Sequence, residues 1–384
     1  MAAAPTFDCY NIAQLRDAAR RRLPLGIWEY LERGVEDELG LARNRAALQA
    51  ITFRPHVLRN VERIDPSTEL LGCPASFPLA LAPTGAAGIM WHDGDLALAR
   101  AAARIGVPFT ISSASTMDLE QICTAGGRIW FQLYLWTDRE LSHAVIDRAH
   151  GNGCEALLVT LDMAVTPNRE YLYRNGFGTP LRLNRRNTMD MLMHPRWLVG
   201  VMGRYALSGG IPSQANLPDR MRNKVTESAH PGALFKQDDL DWDMLGRLRD
   251  RWPGKLVLKG VLRADDAERA AAMGADALVV SNHGGRSLDG SVATIEALPE
   301  IVAAVGSRME VLLDSGISRG SDIAKAVALG AKGVLAGRAP LYGLSVGGEA
   351  GVLRALELLK AETVRTMGML GACNVGELRR DLLS

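Results

Sequence analysis

The sequence has few cysteines, and no two of them are spaced as a pair. Its five cysteines are spread over 384 residues without a Cys-x-x-Cys motif, which argues against a disulfide framework and against a zinc site. We therefore expect a reducing, cytoplasmic compartment and no metal.

An excess of charge of one sign is also missing. The chain has 44 Lys and Arg against 43 Asp and Glu, so its net charge is +1. A nucleic-acid-binding protein usually shows a basic excess, and this sequence lacks it. Nucleic acid is therefore not an expected partner.

Long apolar runs and phosphate-loop motifs are absent as well. No stretch approaches the roughly 18 to 20 apolar residues that cross a bilayer, and the start of the chain lacks the features of a signal peptide, so export is not expected. No Gly-x-x-x-x-Gly-Lys loop occurs. A dinucleotide-type glycine pattern at Gly151–Ala156 precedes an apolar run instead of following one, which disfavours NAD bound in a Rossmann domain.

From residue 77 onward, short apolar runs alternate with longer stretches rich in Ala, Leu and charge, a pattern typical of βα units. The predicted strands are Phe77–Pro83, Val107–Ser112, Arg128–Tyr134, Ala156–Asp162, Lys255–Gly260, Ala277–His283, Glu310–Gly316 and Gly333–Arg338. The predicted helices between or after them include Gly94–Ile105, Asp138–Asn152, Trp242–Trp252, Ala264–Met273, Ile295–Val305, Ser321–Leu329 and Gly351–Leu370. Eight such units predict an α/β protein with a (β/α)8 TIM barrel.

Two segments lie outside the regular βα pattern, and four glycines mark the ends of predicted helices. Residues 1–76 predict an N-terminal helical cap, with helices near Asn11–Arg22 and Leu25–Arg33, and residues 163–239 form a long insertion after the fourth strand. We expect residues 1–384 to be a single domain. Glycines predicted to end helices in the left-handed conformation are Gly106, Gly274, Gly306 and Gly330.

Polar residues and glycines gather where the predicted strands end, and a TIM barrel builds its active site there. Among them, Gly316 and Gly337 free backbone amides for close approach to a ligand, and Arg319 and Arg338 add positive charge. With the start of a helix near Ser321, they predict a phosphate-binding site.

His283 is the one histidine of seven that ends a predicted strand, and Asp162 ends another. A histidine oriented by a carboxylate can act as a general base, and we expect its pKa to be raised. Arg169 and Arg286 are candidates for a carboxylate clamp. Lys259 is a candidate for stabilising negative charge on an electron-poor ring.

Together these motifs resemble those of the FMN-dependent α-hydroxy acid dehydrogenases and oxidases, and most of all the (S)-mandelate dehydrogenases. The resemblance lies in Ser281–Arg286, the strand with Lys259, Gln132–Tyr134, Thr160–Asp162 and Asp314–Asp322. It covers nearly the whole chain and is weakest between about residues 176 and 240. It implies FMN as cofactor, oxidation of an (S)-2-hydroxy acid to the 2-keto acid, and a homotetramer.

The resemblance also implies a role for each matching residue. His283 would take a proton from the substrate, Asp162 would support the imidazolium, and Arg169 and Arg286 would hold the carboxylate. Tyr30 and Tyr134 would bond the substrate. The residues expected to bind FMN are Pro83, Thr84, Gly85, Ser112, Gln132, Thr160, Lys259, Ser281, Asp314, Gly316, Arg319, Gly337 and Arg338.

Residues outside the motifs shared by the family indicate which substrate, electron acceptor and location to expect. Ala114, where glycolate oxidase has tryptophan, is expected to open the substrate pocket for a larger, mandelate-like acid, although L-lactate stays open. Gly85 is the choice of dehydrogenase members, so electrons are expected to pass to a quinone or another acceptor. In the (S)-mandelate dehydrogenases that the chain resembles, the insertion attaches the enzyme to the membrane, so the resemblance implies peripheral attachment to the inner face of the cell membrane. The arginines of the insertion, with Trp197, Leu198 and several methionines, suit such an interface.

Several alternatives stay open at this stage. The first is a soluble oxidase that uses O2 and releases H2O2. Others are an FMN barrel with isomerase chemistry and a barrel without catalytic function. For the insertion, a lid or a subunit contact is the alternative to membrane attachment.

Overall fold

The computed structural model describes residues 8–178, 181–208, 210, 212–218, 221–222, 224, 227–228, 230–231 and 234–384. A hairpin of β1 (Thr68–Leu70) and β2 (Cys73–Ala75) precedes the main sheet. The strands of that sheet are β3 (Leu79–Leu81), β4 (Phe109–Ser112), β5 (Ile129–Leu133), β6 (Ala156–Thr160), β7 (Lys255–Val261), β8 (Ala277–Val280), β9 (Glu310–Leu313) and β10 (Gly333–Ala336). Each is parallel to its neighbours, and β10 pairs with β3, so they form a closed barrel. This confirms the predicted TIM barrel.

Helices surround the barrel and extend it at both ends. The N-terminal segment holds α1 (Ile12–Arg22), α2 (Leu25–Glu32) and α3 (Leu39–Ala50). The insertion after β6 holds α7 (Glu170–Asn175), α8 (Arg185–Leu192), α9 (Pro195–Trp197) and α10 (Arg204–Ser208), with a π-helical stretch at Leu198–Gly203. The helices that follow the strands are α4 (Gly94–Ile105), α5 (Leu119–Cys123), α6 (Arg139–Gly151), α11 (Trp242–Arg251), α12 (Ala264–Ala272), α13 (Thr294–Val305), α14 (Gly320–Ala328) and α15 (Arg338–Leu370).

The two-residue period of the strands divides the barrel interior into layers. Alternate side chains of a strand point to the same side of the sheet. The lower interior layer is apolar and includes Ala80, Trp130, Leu158, Val257, Val279 and Leu312. Two residues further along the strands the inward positions turn polar, at Ser112, Gln132, Thr160, Lys259, Ser281 and Asp314, all buried. The fold thus concentrates polar groups at the carboxyl end of the barrel.

Some predicted boundaries are wrong. β8 ends at Val280, not at His283, because the backbone turns into the left-handed region at His283, where φ is +60°. The helix predicted from Gly351 is the second part of α15, which begins at Arg338 and breaks at Gly347 and Gly348. In β8 the strand pairing therefore stops before Ser281 and His283.

The predicted left-handed glycines are confirmed at three of four positions. Gly106, Gly274 and Gly330 have φ of +79°, +84° and +102°. The prediction for Gly306 is wrong, because its φ is −61°. There the chain continues in a right-handed turn, in which the amide of Arg308 donates to the Val305 carbonyl at 2.8 Å, so no reversal of the backbone is needed.

The N-terminal segment closes over the carboxyl end of the barrel through backbone contacts. The amide of Val35 donates to the Gly285 carbonyl at 3.1 Å, just beyond β8. Arg286 donates to the carbonyls of Tyr30 and Arg33 at 2.7 and 2.9 Å. The segment is therefore a cap that forms part of the rim, as predicted.

The insertion differs from the prediction in the placement of its tryptophan. Trp197 is 2% exposed, belongs to the core, and donates from Nε1 to the Ile89 carbonyl at 2.8 Å. It is therefore not available to an interface. Between residues 185 and 208 the exposed large apolar residues are Met189, Leu192, Met193, Val199 and Leu207, and the exposed arginines of the insertion include Arg182, Arg185, Arg186, Arg196 and Arg204. In the part of the chain that the structure describes, no helix is long and apolar enough to cross a membrane.

We predict that Trp197→Ala loosens the insertion from the barrel. Loss of a buried indole commonly costs about 3 to 5 kcal/mol, whereas Val199→Ala, a matched change at a side chain 71% exposed, should change stability by no more than about 0.5 kcal/mol. Urea unfolding of both variants measures the difference. Equal effects of the two substitutions would show that Trp197 does not anchor the insertion.

Candidate active site

A cavity of about 1620 Å³ opens at the carboxyl end of the barrel. Most of the residues predicted for the site line it: Tyr30, Pro83, Thr84, Gly85, Ser112, Ala114, Gln132, Tyr134, Thr160, Arg169, Lys259, His283, Arg286, Asp314, Gly316, Arg319, Gly337 and Arg338. Asp162 and Ser281 do not line it. They lie behind the wall and contact residues that do.

His283 lies between a carboxylate and a phenol. Its Nδ1 donates to Oδ1 of Asp162 at 2.8 Å, and its Nε2 lies 3.1 Å from the hydroxyl of Tyr134. The carboxylate favours the tautomer with the proton on Nδ1, which leaves Nε2 as a hydrogen-bond acceptor on the cavity side. The second carboxylate oxygen of Asp162, Oδ2, is buried without a partner among the described residues.

A distortion of β7 makes room for the Asp162 side chain that binds His283. The pairing of β7 with β8 shifts register between Lys259 and Val261, and Gly260 between them has φ +108°. A Cβ at Gly260 would lie 2.7 Å from the Cβ of Asp162. Glycine is therefore required here both by the backbone conformation and by the carboxylate that packs against it.

The inward-facing residues of the polar layer form a hydrogen-bonded network. Lys259 is 5% exposed at its side chain, and its Nζ contacts Asp314 Oδ2 at 3.2 Å and donates to the hydroxyl of Ser281 at 2.9 Å. Gln132 donates to Thr160 at 3.0 Å and accepts from the hydroxyl of Ser112 at 3.3 Å. These bonds fix the side chains on the cavity floor.

Two arginines at the mouth are only partly satisfied by protein groups. Arg286 donates from Nη1 to backbone carbonyls of the N-terminal segment. Its Cζ lies over the ring of Tyr30, 5.2 Å from the ring centroid. The Nε of Arg169 is buried without a partner among the described residues. Burial and the nearby Arg286 lower the pKa of Arg169. An anion bound between the two arginines would offset both the burial of Arg169 and its repulsion from Arg286.

The end of the cavity near α14 and α15 is rich in arginine and glycine. Gly316 has φ +89°, and Gly337 directly precedes the first turn of α15. Arg338 donates to the carbonyl of Gly284 at 2.9 Å. Arg319, 46% exposed at its side chain, pairs with Glu362 at 2.6 Å, so its charge is partly neutralised. The helix N-termini and the remaining positive charge favour a phosphate here.

A family model described as FMN-dependent dehydrogenase matches residues 19–384. The chain belongs to the FMN-dependent dehydrogenase family. It is 40% identical over 377 residues to (S)-mandelate dehydrogenase of Pseudomonas putida, which covers 98% of this chain and 94% of the relative. It is 39% identical over 380 residues to L-lactate oxidase of Nostoc sp., with 97% of each chain covered. A crystal structure of monotopic membrane protein (S)-mandelate dehydrogenase matches with TM-score 0.92 and 40% identity, covering 98% of this chain and 100% of that one.

As in other members of the FMN-dependent dehydrogenase family, the cofactor is FMN, and the cavity fits it. The space exceeds the roughly 300 to 1000 Å³ of usual ligand pockets, so a cofactor and a substrate can share it. Burial alone would lower the pKa of Lys259, but Asp314 and then Asp162 raise it overall, so the lysine is a buried cation on the wall. Such a cation suits an electron-poor ring that becomes negative on reduction.

The expectation of a raised pKa for His283 is wrong. Burial lowers the pKa of His283 below its ordinary value; Asp162 opposes this shift, and Lys259 adds to it. For Asp162, burial alone would raise the pKa, but His283 and Lys259 lower it overall. Both shifts favour a neutral imidazole beside an ionised carboxylate at neutral pH.

Arg45 and Phe235 are among the cavity-lining residues that the sequence analysis did not identify. Arg45, on α3, lines the cavity and donates from Nη1 to the Gly316 carbonyl at 2.6 Å and to Asp322 at 2.7 Å. Phe235, near the end of the insertion, lines it beside Tyr134. Neither lies at the end of a strand, and strand ends were the signal that identified most of the others.

Proposed function

We propose that the chain oxidises an (S)-2-hydroxy acid to the 2-keto acid, with His283 as general base and Arg169 and Arg286 as the carboxylate clamp. The observation that carries the proposal is the geometry of His283, which is held by Asp162 at 2.8 Å and lines the same cavity as Arg169 and Arg286. The names of the relatives, a mandelate dehydrogenase and a lactate oxidase, support the substrate class.

The chain's own groups meet the demands of this oxidation. The reaction removes two protons and two electrons, equivalent to one proton and one hydride, from the alcohol carbon and its hydroxyl, so one proton needs a base. Nε2 of His283 takes that proton, and Asp162 stabilises the imidazolium that results. Arg169 and Arg286 orient the carboxylate, which fixes the reacting carbon relative to His283. FMN, when bound, would accept the two electrons together with the proton that His283 does not take.

Tyr30 and Tyr134 complete the proposed substrate site. The hydroxyl of Tyr134 hydrogen-bonds His283, and that of Tyr30 lies 3.4 Å from the Gly85 carbonyl. Burial raises the pKa of Tyr134, so the phenol stays protonated and can donate to the substrate. We propose that the residues predicted for FMN hold it, with Ser281 acting indirectly by orienting Lys259.

For the substrate we propose a mandelate-like acid with a large substituent. Ala114 presents only a methyl group to the cavity, and a Cβ at Gly85 would lie 3.0 Å from it. The small residues at these two positions leave room beside Tyr30. L-lactate would fit as well, with fewer contacts.

For the electron acceptor we propose a quinone or another carrier. The likeness to L-lactate oxidase favours a second candidate, an oxidase that reduces O2 to H2O2. The yield of peroxide per substrate oxidised separates the two. The homotetramer and the single-domain organisation remain proposals.

We propose that the insertion attaches the enzyme to the inner face of the membrane. Exposed Leu192, Met193 and Val199 lie among exposed arginines, a combination that suits an anionic lipid surface. The description of the related mandelate dehydrogenase as monotopic supports this proposal.

The first prediction from the proposed function tests the role of His283 as general base. Without air, (S)-mandelate or L-lactate should bleach the yellow flavin of the wild type, and His283→Asn should slow this by ~10² to 10⁴ while FMN stays bound. His143→Asn, a change on α6 outside the cavity, is the matched control and should react like the wild type. Unchanged bleaching in His283→Asn would exclude His283 as the base.

The second prediction concerns substrate size. Ala114→Trp should overfill the pocket, which commonly costs about 1 to 3 kcal/mol, or about one to two decades in rate. We expect that loss of kcat/KM for mandelate and a much smaller one for lactate, with FMN content measured in both proteins. Equal losses on both substrates would show that Ala114 does not limit size.

The third prediction concerns the membrane. Wild-type enzyme should sediment with phosphatidylglycerol-containing vesicles, and the triple change Leu192→Ser, Met193→Ser, Val199→Ser should release it, because each buried apolar side chain contributes about 1.5 to 3 kcal/mol. A control triple, Val57→Ser, Leu288→Ser, Met369→Ser, removes exposed apolar side chains elsewhere and should leave sedimentation unchanged. Release by both triples, or by neither, would contradict attachment through the insertion.

A further inference from the structure

The insertion returns to the barrel through a short segment, Leu234–Gln237, that is fixed to the chain after β5. Phe235 and Trp136 form an isolated antiparallel bridge. The amide of Thr137 donates to the Leu234 carbonyl at 2.8 Å, and that of Lys236 donates to the Leu135 carbonyl at 2.8 Å. The backbone position of Phe235 is thus set by the barrel.

This backbone places the ring of Phe235 against two aromatic side chains. Its centroid lies 4.9 Å from that of Tyr134 and 5.8 Å from that of Trp136, both in tilted geometry. These separations are within the range of favourable aromatic pairs. Trp136 is itself fully buried, so it is a rigid support on the far side.

The ring nevertheless keeps a free surface. Phe235 is 39% exposed and lines the cavity. The hydroxyl of Tyr134, the ring that Phe235 contacts, is 3.1 Å from Nε2 of His283. The Phe235 ring thus presents an apolar surface near His283, the proposed base, and is linked to it through Tyr134.

We propose that Phe235 is a specificity-determining residue, an apolar wall that favours 2-hydroxy acids with an aryl or large alkyl substituent and that holds the Tyr134 ring in place. The proposal rests on the proposed function and deepens it. An aryl substituent that covers the exposed part of the ring removes apolar surface of both partners from water. The methyl group of lactate covers much less of it.

Phe235 acts on Tyr134 as well as on the ligand. Loss of the ring would remove the aromatic contact that Phe235 makes with Tyr134 at 4.9 Å, so the Tyr134 hydroxyl would sample positions away from His283. Misplacement of a group beside the base lowers the rate of the chemical step even when binding is intact. Phe235 is in this respect a positioning residue.

The test compares Phe235→Ala, Phe235→Leu and the wild-type holoenzyme. Leu234→Ala is the matched control, because this neighbour is half exposed but its side chain does not line the cavity. Two carboxylates that cannot be oxidised, phenylacetate and acetate, are titrated by the change in the visible spectrum of the flavin. Anaerobic flavin reduction by (S)-mandelate and L-lactate is then followed by stopped flow.

We expect Phe235→Ala to weaken phenylacetate binding about tenfold or more and acetate binding less than about twofold. Phe235→Leu should restore most of the phenylacetate affinity but not the full rate of flavin reduction at saturating mandelate, since a leucine fills the wall without the aromatic contact to Tyr134. Leu234→Ala should match the wild type in all four measurements.

Equal weakening of phenylacetate and acetate in Phe235→Ala, or no weakening of either, would overturn the specificity role. A reduction rate of Phe235→Leu equal to that of the wild type would overturn the positioning role. If no 2-hydroxy acid reduces the wild-type flavin, the proposed function fails, while the ratio of phenylacetate to acetate affinity still decides whether Phe235 selects the substituent.

Discussion

Closure of the parallel barrel is the constraint on which the site depends. Since all eight strands run the same way, their carboxyl ends meet at a single rim, and the two-residue period of each strand aims alternate side chains at the axis. Residues more than 200 positions apart in sequence, such as Ser112 and Asp314, thus contribute to one polar layer. The proposed catalytic groups need only follow that layer, as His283 follows Ser281.

Strand ends made much of this site predictable. A polar residue that interrupts an apolar strand has a defined place in a barrel, and Lys259 and Gln132 lie where that rule puts them. Arg45 and Phe235 were missed because a helix and a loop carry them, and nothing in their local sequence shows which surface they will meet. Trp197 was misplaced for a related reason: composition suggests an interface, but only the tertiary structure shows the Ile89 carbonyl that the indole binds.

The pKa of His283 depends on two opposing effects, burial and pairing with Asp162, and the sequence does not show which of them is larger. The pairing with Asp162 was visible, and pairing alone would raise the pKa. Burial works in the opposite direction and dominates, and Lys259, which approaches from β7, also disfavours a second positive charge. A base that is neutral at rest and whose conjugate acid is stabilised by a carboxylate suits proton abstraction near neutral pH. The depth of the side chain, and not its partner, decides the direction of the shift.

The contacts between the N-terminal cap and the last third of the chain affect how the protein is made. The carbonyls of Tyr30, Leu31 and Arg33 are bound by Arg286 and Arg338. On the ribosome, the cap leaves the exit tunnel long before these arginines are synthesised. Until then α1 lacks α15, which it contacts in the complete fold, and the loop to be closed is among the longest that the chain allows. The rim of the site is thus assembled late, and nascent chains with an undocked cap are the species most exposed to aggregation.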